Sequence, residues 1–208
     1  MMKRGKFVTF EGCEGVGKSR QIQYVKELFE GCGAAYVATR EPGGPEISEK
    51  IRDFVLDVKN AKMTSECEAL LYAAARSQHV KELILPALES GKIVLCDRYI
   101  DSSLAYQGVA RGLGMDYILQ INRACEEAMP DVTLFLDLPP AAAFLRKGGA
   151  DKDDRLELSG MEFHEKVYAG YLAVCERYPE RVVRIDCSGT KEQTRALIAA
   201  ALSERGIV

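Results

Sequence analysis

One stretch near the start of the chain limits the folds open to it. Phe7-Val8-Thr9-Phe10-Glu11 runs into Gly12-Cys13-Glu14-Gly15-Val16-Gly17-Lys18-Ser19, and apolar residues then recur at Ile22, Val25, Leu28 and Phe29. The β-branched and aromatic run reads as a strand, the glycine stretch as a loop and the later spacing as a helix. Phosphate binding needs these residue types in this order. Glycines let successive backbone N–H groups turn inward around phosphate oxygens, and the helix N-terminus adds its partial positive charge. Lys18 reaches the β and γ phosphates, and the Ser19 hydroxyl suits Mg²⁺. Gly12, Cys13, Glu14, Gly15, Val16, Gly17, Lys18, Ser19 and Arg20 are therefore the candidate phosphate-loop residues.

The remaining chain alternates strands with helices. A strand read over 35–38 leads to Thr39-Arg40-Glu41-Pro42-Gly43-Gly44-Pro45, a loop at a strand's C-terminal end, where open α/β sheets bind ligands. Helical spacing covers 48–56. Thr64 and Ser65 open a long helix running to Leu88, with Pro86 as its candidate kink and Gly91 as its end. An apolar strand over 92–96 ends on Asp97-Arg98-Tyr99, and helical stretches follow over 101–108 and 115–128. A strand over 132–136 and a short helix over 141–145 precede a charged segment from Arg146 to Arg155 whose one apolar side chain is an alanine, read as a mobile surface loop. A helix over 161–178, a strand over 182–186 and a helix over 190–204 close the chain. This alternation predicts an α/β fold of three layers, with a five-stranded parallel sheet flanked by helices.

At 208 residues and 47% hydrophobic content, one domain spanning 1–208 is expected. The net charge of −3 argues against a nucleic-acid partner, so an anionic ligand must be met by locally gathered arginines and lysines. There is no bilayer-spanning apolar run and no leader-like segment, which predicts a cytoplasmic protein with no membrane partner. Seven widely spaced cysteines form no CxxC pair and read as reduced core residues. Cys13, inside the loop, is either a spacer or a reactive thiol.

Several residues carry chemistry by position. Asp97, at the end of a buried strand, is placed to hold the hydration shell of Mg²⁺ beside the loop, as Ser19 is from the helix start. Arg98 offers a bidentate fork for an anion. Tyr72 and Arg76, four apart on one helix, share a face and form a platform on which a base stacks and is read. Tyr106, Gln107 and the Arg40-Glu41-Pro42 loop converge on the same rim. A GTP-dependent switch protein needs an Asn-Lys-x-Asp stretch. Asn60 and Asn122 are followed by Ala61 and Arg123, which argues against it.

Taken together, these motifs resemble the thymidylate kinase family over nearly the whole chain, from Phe7 to about Asp186. The resemblance rests on Phe10-Glu11-Gly12-Cys13-Glu14-Gly15-Val16-Gly17-Lys18-Ser19, Thr39-Arg40-Glu41-Pro42-Gly43-Gly44, Leu71-Tyr72-Ala73-Ala74-Ala75-Arg76-Ser77-Gln78-His79, Asp97-Arg98-Tyr99, Ser102-Ser103-Leu104-Ala105-Tyr106-Gln107-Gly108 and Asp154-Arg155-Leu156-Glu157. It implies ATP-dependent phosphorylation of dTMP to dTDP with Mg²⁺ by a homodimer. The alternatives are another nucleoside monophosphate kinase and a non-catalytic nucleotide-binding paralogue. By resemblance, Lys18 and Ser19 hold ATP and Mg²⁺, Glu14 contacts the deoxyribose 3′-hydroxyl and Arg98 the acceptor phosphate. Glu41, Pro42 and Ser102 join the substrate pocket, Tyr72 stacks on thymine, Arg76 and Gln107 read its edge, and Tyr106 crowds the 2′ position.

No arginine stands between Gly12 and Gly17, so the resemblance is to the bacterial type in which a lid supplies the catalytic cation. Here that lid is at about 146–157, with Arg146 and Arg155 as its catalytic residues. The chain departs from the family pattern at Pro45, Tyr72 and Ala75, where Thr, Phe and Asp are usual. His79 and His164 read as structural.

Overall fold

The strand that feeds the glycine loop forms over Phe7–Glu11 (β1), and all its side chains are buried. Removing Phe7, Val8 and Phe10 from water stabilises the fold by roughly 1.5–3 kcal/mol per side chain, which explains why so apolar a strand lies inside the sheet rather than at its edge. The computed structural model describes residues 4–147, 156 and 160–208. Around β1 the sheet has the order β2-β3-β1-β4-β5, with β2 at Tyr36–Arg40, β3 at Ile93–Asp97, β4 at Val132–Asp137 and β5 at Val182–Asp186. Every pairing is parallel, with β1 held between β3 and β4. The C-terminal ends of β1, β2 and β3 therefore open on one rim, and each ends on a charged residue: Glu11, Arg40 and Asp97. Helices cover both faces, as the strand–helix alternation predicts.

Helix α1 (Lys18–Gly31) starts at the loop and buries Ile22, Val25 and Phe29, the apolar stripe seen in the sequence. Helix α2 (Glu46–Leu56) packs on α3 (Ser65–His79), whose N-terminus is capped by the Thr64 hydroxyl accepting from the Cys67 N–H. The expected continuous helix to Leu88 is interrupted. Wide π-type turns occupy Val80–Ile84 before α4 (Leu85–Glu89), which has Pro86 in its first turn. A proline lacks the N–H and its ring crowds the carbonyl four residues back; the widened turn relieves both.

Two further helices differ from the sequence reading. The stretch 101–108 splits into α5 (Ile100–Ser103) and π-type turns over Leu104–Ala110 that carry Tyr106 and Gln107. The helix expected over 115–128 stops at α6 (Met115–Ile121) and resumes as a 3₁₀ segment, Arg123–Ala128. Asn122 causes that break. Its amide donates to the Ile118 carbonyl at 2.8 Å while its oxygen accepts from Arg76 at 2.7 Å, an alternative to the helical ladder.

Helices α7 (Pro140–Lys147), α8 (Gly160–Arg177) and α9 (Lys191–Glu204) complete the fold. At Gly170 of α8, an added Cβ would come within 2.8 Å of the Ala105 Cα. That close approach brings Tyr171 against the site. Arg155 and most of the lid expected over 146–157 lie outside the described residues. No described helix is long and apolar enough to cross a membrane.

Candidate active site

The loop after β1 has the backbone its glycines predict. Gly12, Gly15 and Gly17 take φ values of 146°, 77° and 94°, and a Cβ at Gly12 would lie 2.9 Å from the Leu136 carbonyl oxygen. Only glycine reaches these conformations without strain. Lys18, at the first position of α1, is buried and donates to the carbonyls of Gly12 at 3.1 Å and Cys13 at 3.3 Å. Burial lowers the pKa of its ammonium, with Arg98 adding to the effect, while Glu14, Asp97 and Glu11 oppose it. Ser19 and Arg20 follow, exposed at the start of the helix.

Residues 14–20 line a cleft of about 1270 Å³ that also meets Glu41, Pro42, Tyr72, Arg76, Asp97, Arg98, Ser102, Tyr106, Gln107 and Arg146. Most residues expected at the site thus share one cavity. Gly12 and Cys13 do not line it. They are buried beneath the loop and serve it through their carbonyls. Burial pushes the Cys13 thiol up to about 12, which makes it a spacer rather than a reactive thiolate.

Arg98 occupies the seam between the loop and the wall of the cleft. Its φ of 67° is left-handed, a conformation seldom adopted by a residue with a Cβ and concentrated at functional sites. One terminal nitrogen donates to Gly12 O at 3.1 Å, Ser102 Oγ at 3.2 Å and Tyr171 Oη at 3.0 Å, and the other pairs with the Glu14 carboxylate. Behind it, Glu11 accepts from the Tyr99 N–H at 2.7 Å, Ser102 Oγ at 2.6 Å and Tyr171 Oη at 2.9 Å. Burial, and then Asp101, pushes the Glu11 carboxyl up to about 7. The Tyr106 ring lies 5.3 Å from the Arg98 guanidinium carbon.

The opposite wall is built on α3. Arg76 donates through Nε to Glu41 at 2.6 Å, and through its terminal nitrogens to Asn122 Oδ1 at 2.7 Å, Tyr99 O at 3.2 Å and Ser103 Oγ at 3.0 Å. Burial works most strongly against its charge, but Glu41, with Cys125 and Tyr99, together hold the guanidinium above its ordinary pKa. Glu41 lines the cleft with a protein partner on each carboxylate oxygen. Its second oxygen meets His79 Nδ1 at 2.9 Å, and it acts by holding Arg76. His79, which also meets Thr39 Oγ1 at 2.8 Å, is structural, as read. His164 lines the cleft.

Glu11, Asn122 and Tyr171 are the main components the sequence reading missed. Glu11 left a trace, an acid closing an apolar strand, whereas Tyr171 lies 73 positions from Arg98 and left none.

Two groups fit Mg²⁺. One oxygen of Asp97 is buried without a hydrogen-bond partner, the condition of a carboxylate placed for a cation, and the Ser19 hydroxyl is exposed at the start of α1. One carboxylate and one hydroxyl suit an ion that keeps waters and takes phosphate oxygens. Among the described residues no group of three or more His, Cys, Asp or Glu forms a metal cage.

A glycine loop closing the central strand, a lysine at the following helix N-terminus and an arginine-lined cleft at the sheet's C-terminal rim define a P-loop phosphotransferase. The thymidylate kinase family model matches residues 10–198. The chain belongs to the thymidylate kinase family. It is 50% identical over 191 residues to the thymidylate kinase of Bacillus velezensis, covering 90% of each chain. It is 47% identical to that of Oceanobacillus iheyensis, covering 97% of this chain and 92% of the relative. The crystal structure of the thymidylate kinase from Ehrlichia chaffeensis superposes with a TM-score of 0.78 at 30% identity, covering 96% of this chain and 99% of that one.

Proposed function

We propose that the two substrates meet in this cleft end to end, ATP over residues 14–20 and dTMP along the wall of Tyr72, Arg76 and Gln107, with Arg98 at their junction. The chain phosphorylates dTMP to dTDP with ATP as phosphoryl donor. The single observation that supports this division is the position of Arg98. Its guanidinium contacts the loop through Gly12 and Glu14 and the substrate wall through Ser102, so a phosphate bound there faces both.

The acceptor phosphate has its second ionisation near pH 6, so near neutral pH its oxygens are already nucleophilic without a general base. The obstacle is two polyanions in line, overcome by positioning and positive charge. Lys18 draws charge from the donor phosphates and Arg98 orients the acceptor. Asp97 and Ser19 would hold Mg²⁺, which would neutralise negative charge on the phosphates. Glu14 meets the 3′-hydroxyl, and Tyr106 fills the space a 2′-hydroxyl would take. Arg146, tied to the Cys187 carbonyl at 2.6 Å and the Ser188 carbonyl at 2.9 Å, is anchored by the loop after β5. With Arg155 it supplies cations to the transferring group.

In a coupled ADP-release assay, Arg98→Ala is expected to raise the KM for dTMP by at least tenfold with the KM for ATP nearly unchanged. In the same assay Arg155→Ala should lower turnover with the KM for dTMP unchanged. Equal losses for both substrates in Arg98→Ala would overturn the placement of the junction.

A homodimer is the proposed assembly. Helices α2 and α3 pack together and leave Ile47, Phe54 and Leu70 about half exposed, an apolar surface suited to a second copy. Sedimentation equilibrium should give twice the chain mass, and Phe54→Glu should halve it; a monomer in the parent protein would remove the proposal.

A further inference from the structure

We infer that Glu68 sets the base preference of the cleft by locking the Gln107 carboxamide with its oxygen toward the ligand. The inference rests on the base placement proposed above. Gln107 is buried, and its Nε2 donates to Glu68 Oε1 at 2.8 Å. Glu68 is paired with Arg111, so its carboxylate only accepts, and the amide must turn its NH₂ inward. That removes the usual ambiguity between the amide oxygen and nitrogen. The oxygen is the polar atom left to the cleft that Gln107 lines.

Glu68 is itself fixed. Its side chain is 1% exposed, and Arg111 reaches it through Nε at 3.3 Å and Nη2 at 3.2 Å. The Arg111 guanidinium carbon lies 4.4 Å from the centre of the Phe163 ring. Glu68, Tyr72 and Arg76 are spaced four apart along α3, so the group that orients Gln107 shares a helix face with the stacking ring and the base-reading arginine.

The wall then presents a fixed pattern. Arg76 has five N–H donors and uses four on Glu41, Asn122, Tyr99 and Ser103, leaving one for a ligand among the described residues. The Gln107 acceptor lines the same cleft. A thymine or uracil edge offers the complement, a carbonyl at O4 and an N–H at N3. Cytosine offers the reverse at both atoms, which leaves buried polar groups unpaired. Glu68 is thus a positioning residue for specificity, with no contact to the reacting phosphates.

The test compares kcat/KM for dTMP, dUMP and dCMP in Glu68→Gln. A glutamine at 68 presents either an oxygen or an NH₂ to Gln107, so that amide is free to turn. The dTMP to dCMP ratio is expected to fall at least tenfold, with the dTMP to dUMP ratio and the KM for ATP unchanged. The exchanged pair Glu68→Gln with Gln107→Glu, which restores an acceptor at the cleft, should recover the ratio. If Glu68→Gln does not accumulate as folded protein, Arg111→Gln, which releases one side of the Glu68 carboxylate, should lower the ratio about threefold. An unchanged ratio in folded Glu68→Gln or Arg111→Gln, or a rise in both substrates' KM with the ratio preserved, overturns the inference. Gln107→Ala separates the two levels. If it leaves the ratio intact, the base placement itself fails; if it lowers the ratio and Glu68→Gln does not, only the role of Glu68 fails.

Discussion

Replacing Lys18 with alanine is expected to lower kcat about a thousand-fold, the upper range for removing one preorganised cation or donor from a developing negative charge. The size of the effect follows from the setting. Lys18 is buried in a loop whose glycines place backbone N–H groups on the same side, and burial strengthens each electrostatic contact made there. Its own hydrogen bonds are to the carbonyls of Gly12 and Cys13, so its loss should leave the sheet intact. The variant should keep the far-ultraviolet circular dichroism spectrum and the thermal stabilisation by dTMP, because the substrate wall lies on α3 and beyond β3. A turnover loss below tenfold in folded protein would move the donor site away from the loop.

The second large effect is on stability. Glu41→Ala should destabilise the protein by about 3–5 kcal/mol, because the guanidinium of Arg76, 2% exposed, would remain buried without its carboxylate. For a domain of this size the melting temperature falls by roughly 10 °C. dTMP binding should fall with it, since the same carboxylate aims Arg76 at the cleft. Thermal unfolding of Glu41→Ala beside Glu41→Gln checks the point. Glutamine still accepts one hydrogen bond from Arg76 and should recover part of the loss. A drop under about 3 °C in Glu41→Ala would mean that water or a neighbour compensates the charge, against the pairing seen here.

These two positions also show what a sequence makes legible. Lys18 stands in a contiguous motif, because a phosphate loop is built from neighbours along the chain, and its strand, loop and helix all formed as read. The parallel sheet followed from alternating strands and helices for the same reason. Glu41 was assigned to the right cavity, but its protein partners there were not foreseen. The family resemblance placed it at the substrate, but only the packing of α3 under the loop after β2 shows that Arg76 and His79 take both its oxygens. Glu11, Asn122 and Tyr171 reach the site through tertiary contacts, Tyr171 across the close approach at Gly170. Local pattern has no term for such contacts. The wide turns at Val80–Ile84 and Leu104–Ala110 escaped for a related reason: periodicity announces a helix without giving its pitch.

The left-handed backbone at Arg98 sets folding and chemistry against each other at a single residue. Glycine there would relax the main chain, yet it would leave Glu14, Ser102 and Tyr171 facing an empty junction. The strain is kept because the contacts that the guanidinium makes from this backbone position hold the two halves of the cleft together.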